Sequence, residues 1–213
     1  MNASAVPAPE SDRPAIVKEL CLFFGITFAI TWGVLALYLW DAPLTTKMLG
    51  PMKVGAPMFY VAVSAPGLAA IFLTLQRSGW RGLMVFISSL WRGHISWPWV
   101  ALSVLGYPLL WLIVACSMAL WNGNVDRLDI TPWLVSLPSL LIAGHALKDM
   151  GALGEEPGWR GYALPRLLRL TNPRAAATVL GLIWAVWHLP AFFLGSLSQS
   201  GFAFVPYVLN VVA

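Results

Sequence analysis

The sequence predicts an all-α fold, a polytopic bundle of transmembrane helices. Hydrophobic residues make up 59% of the 213-residue chain and charged residues only 10%, against about 25% charged in a soluble domain. Apolar runs of roughly 18 residues or more recur, the length a helix needs to cross ~30 Å of hydrocarbon. The strict alternation over about ten residues that marks a transmembrane barrel is absent. Lipid offers the backbone no hydrogen bonds, so helices are the remaining way across. About five complete spans, a partial sixth and one interfacial helix are expected.

Residues 1–15 are polar, contain three prolines and carry Glu10 and Asp12. A signal peptide would open basic and turn apolar, so this stretch reads as a disordered tail. The first span is about Leu20–Trp40, and Trp40 suits an interface. The second is about Met58–Leu75, with a kink expected at Pro66-Gly67. The segment Gln76–Trp97 sets Arg77, Arg81 and Arg92 around a short apolar stretch, which fits a helix lying at the interface. The third span is Trp97–Trp121, anchored by tryptophan at both ends. The fourth begins near Trp133 and runs towards Glu155, and the fifth is about Ala175–Phe193. The final apolar segment, Phe202–Ala213, has 12 residues, about 18 Å of helix and short of a crossing. We therefore expect the sequence to be a fragment. The domain reading is a tail at 1–15, N-terminal transmembrane helices with a basic interfacial segment at 16–130, and a catalytic region at 131–213.

Lys and Arg collect on cytoplasmic loops. With the N-terminus inside, ten basic residues fall on the inner segments and three, Lys47, Lys53 and Arg127, on the outer loops. This places the protein in the cell membrane as a multi-pass chain with a cytoplasmic N-terminus, and puts the Glu155 stretch near the cytoplasmic face. The net charge of +4 is too modest to argue for nucleic acid. Membrane lipid and a peptide or protein substrate are the expected partners. Cys21 and Cys116 lie singly in apolar spans and read as packing residues.

Chemistry concentrates in GALGEEPGWRGYALPRLL, Gly151–Leu168. Glu156 and Arg160 are four residues apart and share a helix face, so they can pair. Glu155 is rotated about 100° away and can point elsewhere. A carboxyl in a low-dielectric site has a raised pKa, which suits a general base. Pro157 is expected to kink the helix. The second element is Trp184-Ala-Val-Trp187-His188-Leu-Pro190, in which Trp184 and His188 share a face. An ionisable residue inside a membrane span is a functional hypothesis by default. A Glu and a His on adjacent helices can activate water directly. They can also be two ligands of a divalent metal such as zinc, whose bound water would attack. Both readings stay open, because HExxH is absent and fewer than three ligands are visible. His145 lies ten residues before Glu155, about 15 Å along a helix and too far to share a metal. His94, in the basic segment, is weaker still. A proton-relaying transporter would need more polar residues in the other spans than this chain has.

The order GEEPGWRGYALP then WAVWHLPAFF resembles the CPBP family, the CAAX-protease and bacteriocin-processing membrane proteins also called the ABI family. Its EExxxR motif is matched by Glu155, Glu156 and Arg160, and its aromatic-xxx-His motif by Trp184 and His188. The resemblance covers roughly Trp133–Ala213. It implies an intramembrane endopeptidase, often called a metalloprotease, in which Glu155 and His188 activate water while Glu156 and Arg160 support them. It also implies a later helix bearing His followed four residues on by Asn or Asp, an oxyanion-stabilising motif. No histidine follows His188 here, and Asn210 has no partner histidine. The expectation is therefore a chain truncated before the last motif. A non-catalytic immunity or scaffold protein of the same lineage is the alternative.

Overall fold

The computed structural model describes residues 9–91, 97–121, 123, 150–194 and 204–212. Among them every regular element is helical. The helices are α1 (Arg13–Trp40), α2 (Ala42–Leu49), α3 (Pro57–Val63), α4 (Ala65–Trp91), α5 (Trp97–Trp121), α6 (Met150–Glu156), α7 (Leu164–Leu170), α8 (Pro173–Trp187) and α9 (Phe204–Val212). A π-helical segment, Pro157–Ala163, joins α6 to α7, so that residues 150–170 form one rod. Among the described residues two helices are long and apolar enough to cross a membrane, Glu10–Trp40 and Pro173–Phe193. The bent pair α3–α4 makes a third if it is counted as one span.

The chain divides into two compact units, Met1–Trp91 with Asp149–Ala213, and Arg92–Lys148. The second contributes α5, a 25-residue helix coincident with the expected third span. The expected start of the fourth span, near Trp133, lies outside the described residues, as do His94 and His145.

In the first unit α1 begins seven residues ahead of the expected Leu20, so helix covers the end of the stretch read as a tail. Tertiary contacts stabilise these roughly two extra turns. Arg13 donates to the Leu170 carbonyl at 2.8 Å, and Asp12 faces Arg169 at 3.6 Å. The buried stripe of α1, Ile16, Leu20, Phe23, Thr27, Thr31 and Leu35, follows the three-to-four spacing of one helix face. Its apolar start packs with Ala69, Ala70 and Leu73 of α4, and with Trp159, Tyr162 and Leu167 of the rod.

The second span bends by 56° between Val63 and Ala65, just before the expected Pro66-Gly67. Proline has no N–H to give the carbonyl four residues back, which here belongs to Ala62. That carbonyl instead accepts a hydrogen bond from Thr31 Oγ1 on α1 at 2.7 Å. Thr31 Oγ1 in turn accepts the Trp187 indole N–H at 2.9 Å. One hydroxyl thus ties α1, the bend and the end of α8 together. Further on, α4 is interrupted at Gly79, whose φ of 63° favours glycine. Helix resumes to Trp91. The break falls inside the stretch expected at the interface: Arg77 stays on the first half of α4, and Arg81 lies beyond the break.

Gly158 is buried against Pro66, and a Cβ there would strike the Pro66 backbone. The rod can approach the bend this closely only because the residue is glycine. The kink expected at Pro157 appears as the widened π-helical turn, in which the rod continues rather than breaks. Widening absorbs the N–H that proline lacks and the crowding of its ring.

Candidate active site

The rod and α8 bring the two sequence motifs together. Glu155, at the end of α6, points to α8, and its Oε2 accepts the Trp184 indole N–H at 2.9 Å. Glu156 points the other way and forms an ion pair with Arg160, as the four-residue spacing predicts. The Arg160 guanidinium lies over the Trp184 ring, 5.6 Å from its centroid. Trp184 is therefore bound at its edge by one acid and covered on its face by the arginine that holds the other. This arrangement separates the two neighbouring carboxylates.

His188 sits where α8 ends. Pro190 cannot continue the hydrogen-bond ladder, and the chain passes into the short 3₁₀ turn Leu189–Phe193. His188 Nδ1 lies 3.0 Å from the Trp184 carbonyl oxygen. A carbonyl only accepts, so Nδ1 carries the proton, and in the neutral ring Nε2 keeps its lone pair. Three aromatic rings fix the imidazole: Trp187 at 4.6 Å, Trp184 at 5.5 Å and Tyr207 of α9 at 5.5 Å between centroids. The Trp187 carbonyl accepts the Trp32 indole N–H at 3.1 Å, which anchors this end of α8 to α1. Trp184 thus contacts both key residues, Glu155 through its side chain and His188 through its carbonyl.

Two features escaped the sequence reading. Tyr207 stands beside His188 and packs on Phe192 with centroids 5.1 Å apart. Nothing in the sequence distinguishes it from the other four tyrosines. Trp159 is buried, and its indole N–H has no hydrogen-bond partner among the described residues. An orphaned buried N–H is a place for water or a substrate oxygen.

The site is also deep. Leu170, at the far end of the rod, meets Arg13 at the start of α1. Glu155 is fifteen residues back, about 22 Å at 1.5 Å per residue. That is level with the middle of α1, because Phe23 and Phe24 pack on Trp159 and Thr31 bonds Trp187.

Catalytic zinc sites use three protein ligands. Among the described residues no group of three or more His, Cys, Asp or Glu side chains converges. Glu155 and His188 alone fall short of such a set.

Fold and site together define a helical membrane protein that joins a carboxylate to a histidine through an indole. Residues 132–212 match the family model described as type II CAAX prenyl endopeptidase, Rce1-like. A 50-residue stretch, 24% of this chain, is 36% identical to CAAX prenyl protease 2 of Methanococcus maripaludis. That stretch spans 18% of the relative's length. No solved structure matches. Both matches support a CPBP/CAAX-protease family, and the family-model match covers the residues where both motifs lie.

Proposed function

We propose that the protein is an intramembrane endopeptidase of the CAAX-protease type, hydrolysing a peptide bond with water activated by Glu155 and His188. The observation that carries this reading is the Trp184 bridge, which holds the Glu155 carboxylate and the His188 ring on one indole residue. Water has two protons and the site has two acceptors. One proton faces Glu155 and the other His188 Nε2, which aims the oxygen lone pair at the substrate carbonyl. Glu155 removes its proton as the C–O bond forms. The C–N bond then breaks, and the proton passes from Glu155 to the leaving amine. Glu156 and Arg160 support this by holding Trp184 and keeping the second carboxylate away. The developing oxyanion needs a donor. The Tyr207 hydroxyl beside His188 is the described group we assign to it.

We carry forward the N-in orientation, with about five complete spans, a partial sixth and the Gln76–Trp97 segment at the interface. The division at residues 15 and 130 goes with it, except that Arg13–Ala15 belong to α1 and not to a tail. Substrate enters from the cytoplasmic side. Reaching Glu155 from the Arg13 end takes about seven extended residues at ~3.3 Å each, which suits a chain terminus better than a folded loop. A divalent metal such as zinc stays a proposal, with Glu155 and His188 as its first candidate ligands. A non-catalytic scaffold of the same lineage would leave the Trp184-bridged pair without a task.

The test is cleavage of a prenylated peptide reporter ending in a CAAX sequence, in membranes containing the protein. Wild type should cut it, and Glu155→Gln and His188→Ala should lose at least about a hundredfold. Equal processing by all three proteins would remove both residues from the chemistry.

A further inference from the structure

At the end of α1 opposite Trp40 lies a second polar cluster, remote from Glu155. A cavity of about 460 Å³ is walled by α1, α4 and α7. Its charged lining is Asp12, Glu19, Arg77, Arg166 and Arg169, and Ile16 and Pro165 give it an apolar side. Glu19 organises it. Its Oε2 accepts Arg166 Nε at 2.9 Å, and its other oxygen pairs with Arg77. Arg166 also donates to the Tyr162 carbonyl at 2.9 Å, and its guanidinium lies 3.4 Å from the Tyr162 ring centroid. Arg166 is thus fixed as the back wall. Arg169 is 3.6 Å from Asp12, too long for a good hydrogen bond.

A guanidinium has five N–H donors, and the contacts just named use a minority of the fifteen that three arginines offer. The lining carries three positive charges against two negative ones. Arg77 and Arg169, with side chains 60% and 46% exposed, can turn free donors into the cavity. The cluster stands where the polar start of α1 gives way to its buried apolar stripe, which is headgroup depth if α1 crosses a bilayer along Glu10–Trp40. Basic pockets between transmembrane helices at that depth bind lipid headgroups, and arginine matches phosphate oxygens in a bidentate way.

We propose that this cavity holds the phosphate of an anionic lipid headgroup between Arg77 and Arg169, with Arg166 fixed behind it by Glu19 and the lipid's apolar part against Ile16 and Pro165. Native mass spectrometry of the full chain, released from detergent, tests this with phosphatidylglycerol, phosphatidylcholine and inorganic phosphate as separate additions. Phosphatidylglycerol should be retained in preference to phosphatidylcholine. The double variant Arg77→Gln/Arg169→Gln should weaken its retention about 30-fold, from the effect of two surface arginines. The charge-matched control Lys47→Gln/Lys53→Gln, altered at exposed residues outside the cavity, should retain it as wild type does. Equal retention of both lipids, or unchanged retention in the arginine variant, overturns the proposal. Inorganic phosphate binding as tightly as the lipid, and lost in the same variant, makes this a free-phosphate site and overturns the lipid assignment. Thermal unfolding of each variant without lipid shows whether it is folded, so a loss of retention with an unchanged midpoint belongs to the site.

Discussion

Thr31→Val tests whether one hydroxyl holds the bend of the second span to the end of the site helix. The substitution keeps the side chain's size and branching and removes only the hydroxyl. Two hydrogen bonds go with it, from Trp187 Nε1 at 2.9 Å and to the Ala62 carbonyl at 2.7 Å. Thr31, Ala62 and Trp187 are 4%, 7% and 3% exposed, so water cannot take over either group. The Ala62 carbonyl also has no intrahelical alternative, because Pro66 lacks the N–H that would serve it. Interhelical hydrogen bonds in membrane proteins average about 0.6 kcal/mol and reach about 1.7 kcal/mol. Two of them, each leaving a buried orphan, should cost about 1–3 kcal/mol. Thr31→Ser is the control: it loses a methyl group and keeps both bonds. Thermal unfolding in detergent, followed by tryptophan fluorescence, should rank wild type first, Ser close behind and Val clearly lower. Val as stable as Ser would refute the reasoning, since the hydroxyl would then contribute nothing.

Three further outcomes follow from the site and the rod. Trp184→Phe keeps the ring beside His188 and removes the N–H to Glu155. Steady-state cleavage should show kcat down about tenfold, the lower range for a hydrogen bond to a charged group; an unchanged kcat would free Glu155 of its orienting partner. Tyr207→Phe should lower kcat by about a hundredfold and leave KM nearly unchanged, as loss of an oxyanion donor does. A fall seen only in KM would make Tyr207 a binding residue. Gly158→Ala should lower stability by about 1–3 kcal/mol through its clash with Pro66. Gly33→Ala, where nothing lies within 4 Å, should be neutral or mildly stabilising in the same unfolding experiment.

The helical class was legible because apolar runs of span length recur without the strict alternation that a barrel needs. The pairing of Glu156 with Arg160 was legible because four-residue spacing is local geometry that survives the widened turn. What could not be read was everything set by contacts distant in sequence. Glu155 finds Trp184 twenty-nine residues away. Thr31 looked like any threonine in an apolar helix, and its task exists only because Pro66 frees a carbonyl across the interface. Tyr207 gains meaning only once α9 lies against His188. The bend itself was visible in Pro66, but which residue would satisfy the released carbonyl was not. Pro157 was read correctly as a disturbance, yet sequence does not tell a break from a π-helical turn when a glycine next to it allows close packing.

The central claim is that Trp184 joins Glu155 and His188 into one water-activating unit. A double-mutant cycle on cleavage measures this most directly, with Glu155→Gln, His188→Ala and the pair compared in kcat/KM under single-turnover conditions. Residues that act as one unit are strongly non-additive. The double variant should therefore be about as impaired as either single one. Losses that multiply would show two independent contributions and contradict it.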